Sequence, residues 1–245
     1  MRYNAAYMSA KYPNTSLSVV IPAYNEEENI EFVVTDTVEK LPEYFSDFEI
    51  IVVDDGSRDT TPQLCDALGQ KYSQVKIIHK ANGGFSRAAL TGIQAVTKEF
   101  IAYVPADGQF LVDDLRHCFA EMEGADMVLG YRGGRPDYTT WRMIMTHGYL
   151  MLLAILFNMR FGDVGWATIW RADKVRSIPL EGSGGVFILA EIVVRFMQKG
   201  YRIAEAPSFY HVRKSGTVKN SKLSVVFKTI ANAFKLWFQI KIGRV

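Results

Sequence analysis

Phe100-Ile-Ala-Tyr-Val-Pro-Ala-Asp-Gly-Gln109 is an apolar run that stops in a polar loop. Phe100 to Val104 reads as a short, fully buried strand. Pro105 cannot donate a ladder hydrogen bond, so the strand ends there. Asp107 then stands just beyond the carboxyl end of a central strand, where open α/β sheets bind ligands. A carboxylate in that place suits a metal carried by a phosphorylated substrate. Taken alone, Asp107-Gly108 is better explained as a turn pair. The sequence around it reverses that preference.

Upstream, β-branched runs and helical segments alternate. Leu17 to Pro22 reads as a buried strand, and Asn25 as a helix cap with Glu28 as its reciprocal partner. That helix runs to about Lys40. Phe48 to Asp54 is a second strand ending in Asp54-Asp55-Gly56-Ser57. Thr61 is placed to cap the next helix, with Pro62 in its first turn. Val75 to His79 is a third strand, and Asn82-Gly-Gly84 turns into a helix ending near Val96. Beyond the opening stretch, Leu111 to Glu123 reads as a helix and Asp126 to Gly130 as a fifth strand. This alternation predicts an α/β, Rossmann-like, mostly parallel sheet with helices on both faces. The first strand leads into Pro22-Ala-Tyr-Asn-Glu26 rather than a glycine-rich turn, so no loop there cradles a pyrophosphate. A nucleotide diphosphate would need a metal and arginine or lysine instead.

After Gly130 the pattern changes. Tyr131 to Tyr138 is a polar loop with Arg132 and Arg135. Trp141 to Phe161 is an apolar helix, uncharged over residues 143–159. An irregular loop from Gly162 leads to a short strand at Trp170. A helix over Phe187 to Lys199, a strand over Arg202 to Val212, a basic loop and a last helix over Leu223 to Ile240 follow. No linker marks off a second domain.

The 245 residues are 49% hydrophobic and 22% charged, which suits a globular core, and the net charge of +2 argues against a polyanion binder. Basic residues are scattered outside 213–222 and no nucleic-acid recognition motif is present, so no nucleic-acid partner is expected. Cys65 and Cys118 fall in helices without metal-type spacing and read as buried thiols of a reducing compartment. Residues 1–16 are polar and contain no apolar signal core, so a cytoplasmic chain is expected.

Asn25-Glu26, Asp54-Asp55 and Asp107 each close a strand, and in a parallel sheet such ends share one edge. Each has a local explanation as a turn or a dipole partner; three at one edge are better explained together. With these motifs in view, Val19 to Glu26, Ile51 to Ser57, Gly84 to Gly92 and Ala106 to Gln109 resemble, in order and spacing, the large inverting glycosyltransferase family with the GT-A fold. The chain is most similar to its dolichyl- and polyprenyl-phosphate sugar transferases, strongly over residues 17–135 and weakly over 160–222. The resemblance implies that Pro22, Ala23, Tyr24, Glu26, Val53, Asp55 and Ala106 hold the nucleotide. It implies catalytic roles for Asp107, Gln109 and Arg132, with Asp107 binding Mg2+ or Mn2+. It also places phosphate on Arg132, Arg213 and Lys219. The implied organisation is a tail at 1–16, a glycosyltransferase domain at 17–222 and an amphipathic helix at 223–245. The domain divides into a nucleotide-sugar half, 17–130, and an acceptor half, 131–222.

The family pattern Asp-Ala-Asp is Pro105-Ala-Asp107 here, so one carboxylate is missing. Magnesium commonly uses one or two protein carboxylates plus substrate phosphates, which leaves Asp107 sufficient. The expected reaction moves a hexose from a GDP- or UDP-sugar to a polyprenyl or dolichyl phosphate. Two alternatives stay open: transfer to a glycan or small-molecule hydroxyl, with Asp163 or Glu191 as the base, and a catalytically silent sugar-nucleotide-binding protein. The uncharged run over 143–159 is read as an interfacial helix, with a buried core helix as the competing reading. In the last helix Phe227, Ile230, Phe234 and Trp237-Phe238 recur at helical spacing beside Lys228 and Lys235, which fits a membrane surface, docking on the domain or a homo-oligomer contact. The expected location is the cytoplasmic face of a membrane, with peripheral attachment.

Overall fold

The chain was studied as a computed structural model that describes residues 12–134, 138–182, 185–209, 211 and 223–243. Seven strands form one sheet: β1 (Ser16–Ala23), β2 (Asp47–Asp54), β3 (Val75–His79), β4 (Phe100–Tyr103), β5 (Met127–Arg132), β6 (Thr168–Arg171) and β7 (Ile203–Ser208). Their order is β3-β2-β1-β4-β6-β5-β7. The order reverses between β1 and β4, which is the switch point where α/β sheets open a crevice at their carboxyl ends.

Period-two alternation explains the two cores. On β1, Leu17, Val19 and Ile21 face one side, with α1 (Ile30–Lys40), α2 (Thr61–Lys71) and α4 (Arg116–Glu121). Val20 faces the other, with α3 (Phe85–Ala95), α5 (Thr140–Phe157), α7 (Ile188–Gln198) and α8 (Leu223–Lys241). The short helix α6 (Ala172–Arg176) follows β6 directly. Cys65 and Cys118 are buried free thiols, as expected.

The sheet is mostly parallel, as expected, with β6 running antiparallel to both β4 and β5. The reason is that α5 does not cover the sheet as a crossover helix; it packs principally against α8, and the chain re-enters the sheet from a loop. Several local expectations are corrected. Asn25 caps no helix. It takes a left-handed φ of 51°, and α1 starts at Ile30, whose N–H donates to the Glu26 carbonyl at 2.9 Å. The cap position of α2 is Thr60 rather than Thr61. The expected helix over 111–123 is a 3-10 turn, a short α4 and a second 3-10 turn. β5 extends through Arg132, so the polar loop begins later than expected. α5 stops at Phe157, where Asn158 takes φ 54° as a left-handed C-cap.

α5 is not a buried core helix, because among its residues only Leu153 is buried. Trp141, Ile144, Met151 and Ile155 lie exposed along one helical stripe. It is long and apolar enough, by length and composition, to cross a membrane. α8 docks on the domain through Ala233 and Leu236 and leaves Phe227, Phe234 and Phe238 exposed.

At the amino ends of the strands, Glu49 ties three segments together. Its carboxylate accepts from Ser18 Oγ at 2.6 Å, Lys76 Nζ at 2.6 Å and Thr97 N at 2.6 Å. Burial alone would raise its pKa, but the bonds from Lys76, Ser18 and Thr97 outweigh that and hold it at about 2, against an ordinary 4.5. The unfolded chain therefore takes up this proton first. Glu49 contributes full stability above pH 4.5 and loses it progressively as pH falls toward 2. Glu49→Ala is expected to lower unfolding free energy by about 2–3 kcal/mol at pH 7 and to flatten stability between those two pH values, as read by urea melts.

Candidate active site

A cavity of about 940 Å³ opens at the β1/β4 switch point. Pro22, Ala23, Tyr24 and Glu26 enter it from the end of β1, and Asp55 from the end of β2. Pro105, Ala106, Asp107 and Gln109 enter it from the loop after β4. The three acidic strand ends are thus brought together as their shared edge requires. The ladder persists to Val104, whose N–H donates to Val20 O at 3.0 Å, and stops at Pro105. The Tyr103 phenol is pushed up by burial and then by the charges of Asp107 and Glu26.

Loop-to-loop bonds fix the first two acidic ends. Asn25 N donates to Ser57 Oγ at 2.9 Å, Arg58 N to Asn25 Oδ1 at 2.8 Å and Glu26 N to Thr61 Oγ1 at 2.8 Å. Asp55 is more tightly held than a bare ligand would be. It accepts from Lys80 Nζ at 2.5 Å, Gly83 N at 2.9 Å and Gly84 N at 2.7 Å. Its carboxylate therefore shapes the Asn82–Gly84 turn, with limited acceptor capacity left for a ligand. Asp107 is half-buried and accepts from Gln109 N at 3.1 Å across Gly108, whose φ of 68° a side chain would resist. Gln109 is anchored in turn, its carbonyl accepting from His211 N at 2.9 Å.

Two expected site residues are not at the cavity wall. Val53 is fully buried in the sheet. Arg132 sits one layer back, with its guanidinium 4.3 Å over the ring of Trp166, which does line the cavity. It donates to both oxygens of Asp163, at 2.6 and 3.1 Å, and the two side chains are only 8% and 2% exposed. Burial works against the Arg132 charge, but the hydrogen bonds and charge of Asp163 outweigh it and hold the guanidinium protonated. Glu191 is likewise buried against Arg195, at 2.9 Å. Among the described residues, the carboxylates that line the cavity are Glu26, Asp55 and Asp107. Arg213 and Lys219 lie outside the described residues.

The cavity also takes residues that the sequence did not point to: Arg87 from α3, Tyr138 and Arg142 around the start of α5, and Lys228 and Asn232 from α8. Lys228 and Asn232 are four residues apart, a helical spacing, but the aromatic stripe beside them dominated the reading of that helix.

A mostly parallel sheet with acidic loops at its switch point is a GT-A-like arrangement, and the comparisons with known proteins agree. The chain belongs to glycosyl transferase family 2, whose family model matches residues 18–176. It is similar to dodecaprenyl-phosphate galacturonate synthase of Rhizobium johnstonii, 28% identical over 91% of this chain and 66% of that protein. It is also similar to undecaprenyl-phosphate 4-deoxy-4-formamido-L-arabinose transferase of Pseudomonas fluorescens, 33% identical over 51% of this chain and 38% of that protein. The chain thus spans just under two thirds of the first relative and a smaller share of the second. Among solved structures, glucosyl-3-phosphoglycerate synthase from Mycobacterium tuberculosis, in complex with Mn2+, uridine diphosphate and glucosyl-3-phosphoglycerate, superposes with a TM-score of 0.71. It is 16% identical over 91% of this chain and 80% of that one, a likeness of fold.

Proposed function

We propose that this chain is an inverting glycosyltransferase that moves a hexose from a UDP- or GDP-sugar to a polyprenyl or dolichyl phosphate. One observation carries the choice of acceptor. Asp163 and Glu191, the carboxylates a hydroxyl acceptor would need as a base, are both held by arginines away from the cavity. A hydroxyl must lose a proton as it attacks. A phosphate is already an anion and needs no base. Family membership and the two prenyl-phosphate relatives support the same reading.

In the reaction a phosphate oxygen of the acceptor forms a bond to the anomeric carbon. The bond from that carbon to the nucleoside diphosphate breaks, and its electron pair leaves with the diphosphate. Tyr24 and Glu26 bound the nucleoside end, with Asp55 holding the Asn82–Gly84 turn in place. Asp107 would hold Mg2+ or Mn2+ together with the diphosphate, since magnesium commonly uses one or two protein carboxylates plus substrate phosphates. The Mn2+ complex of the structural neighbour supports such an ion. When bound, the ion supplies positive charge where the leaving group becomes negative. Gln109 is fixed beside Asp107, and Arg132 acts from behind by seating Trp166.

The exposed apolar stripes of α5 and α8 support peripheral attachment to a membrane; the cytoplasmic face is part of the proposal. Purified protein, labelled nucleotide sugars and polyprenyl phosphate test the proposal. Label is expected to pass into the lipid. Label found only in hydroxyl acceptors would overturn the lipid reading, and nucleotide binding without any transfer would overturn the enzyme.

A further inference from the structure

α8 presents three faces, each a helical stripe. Ala233 and Leu236 are buried in the core, while Phe227, Phe234 and Phe238 are exposed. Val225, Lys228 and Asn232 line the cavity. A clasp between α3 and α8 helps to fix this orientation, together with bonds from Lys235 and Gln239 to Glu181. Ser86 Oγ, in the first turn of α3, donates to the Gly185 carbonyl at 3.0 Å. Val186 N donates to Thr229 Oγ1 at 3.4 Å. Gly185 has φ 81°, and a Cβ there would stand 2.7 Å from Thr229 Oγ1, so this close approach needs glycine. The residues next to the two ends of the clasp are Arg87 and Lys228, and both face the cavity.

Other cations nearby are engaged by neighbours. Lys80 is paired with Asp55, Arg132 with Asp163, and Arg142, which also lines the cavity, lies 3.7 Å over the Tyr138 ring. Arg87 and Lys228 make no ion pair among the described residues. Two like charges that line one cavity without a paired carboxylate favour an anion between them. Arginine offers a planar fork to phosphate oxygens and lysine a mobile point charge, a combination that suits a phosphate monoester. Lys228 also stands where the cavity face of α8 meets the exposed Phe227 face. An apolar chain along the aromatic stripe would bring its phosphate to that junction.

We propose that Arg87 and Lys228 are specificity-determining residues that bind the phosphate of the prenyl acceptor, so that α8 is a wall of the acceptor site as well as a surface helix. This rests on the reading that the acceptor is a prenyl phosphate. The donor diphosphate is left to Asp107 and its ion.

The test is direct binding of farnesyl phosphate and farnesol to the whole protein, alongside UDP and GDP with Mn2+. Wild type, Arg87→Ala, Lys228→Ala and Lys228→Arg are compared by calorimetry. Each alanine variant is expected to weaken farnesyl phosphate binding about tenfold or more. Farnesol and nucleotide affinities should stay within twofold, and Lys228→Arg should restore most of the phosphate affinity. Unchanged farnesyl phosphate affinity in both alanine variants would overturn the proposal. So would a loss of nucleotide affinity instead, which would assign the two cations to the donor. The wider functional reading fails separately, if wild-type protein binds farnesyl phosphate through these residues yet never transfers sugar to a prenyl phosphate.

Discussion

Asp107→Ala is expected to lower kcat/KM for sugar transfer by about 10³-fold, the removal of roughly 4 kcal/mol of transition-state stabilisation. The size follows from the site's composition. Pro105 stands where a second carboxylate would be, and Asp55 is already occupied by Lys80, Gly83 and Gly84. Glu26 Oε2 accepts from Asn29 Nδ2 at 3.1 Å, which turns part of that carboxylate toward the start of α1. No neighbouring carboxylate is therefore poised to replace Asp107. The loss should come with a second signature. Mn2+ should strengthen UDP or GDP binding to wild type and have little effect on the variant, while metal-free nucleotide affinity stays the same. The fold should survive, because Asp107 is half-buried in a loop and its acceptor bond to Gln109 N is local. Transfer within twofold of wild type would sink the single-carboxylate metal site.

Asp163→Ala is expected to act on stability. The substitution leaves the Arg132 guanidinium, 8% exposed, without the carboxylate that accepts two of its N–H groups. Removing one member of a buried pair typically costs about 3–5 kcal/mol. Urea midpoints should fall accordingly with little change in slope. Trp166, under the Arg132 guanidinium and in contact with Phe110 at 5.4 Å between ring centres, should change its fluorescence with the same substitution. A general base would behave in the opposite way, with stability kept and transfer lost. An unchanged urea midpoint would contradict the structural role assigned here to Asp163.

Much of the nucleotide half was legible because buried parallel strands announce themselves as β-branched runs. The third strand, Val75–His79, and the ends of the strands at Asp54 and Tyr103 fell close to where those runs stop. Asp107 was legible for a related reason: a proline and an Asp-Gly pair after a buried run fix both the strand end and the turn. What stayed hidden depended on contacts between distant segments. Asn25 looks like a helix cap in sequence, but it accepts from Arg58 N and adopts a left-handed backbone, a choice made by the β2 loop. The Arg132–Asp163 pair spans 31 residues and depends on where the chain re-enters the sheet. β6 is four residues long and carries no periodicity that could reveal its antiparallel direction. Lys228 read as part of a basic, aromatic surface helix. The clasp at Gly185 and the docking of Ala233 and Leu236 in the core turn it toward the cavity.

The central claim is about a bond: the anomeric carbon joined to a phosphate oxygen of a lipid by a single displacement. The most direct measurement is NMR of the purified product formed from an α-linked nucleotide sugar and polyprenyl phosphate. The expected product shows coupling between its anomeric carbon and phosphorus, and the opposite anomeric configuration from the donor. A product without that coupling, or one that keeps the donor's configuration, would contradict it.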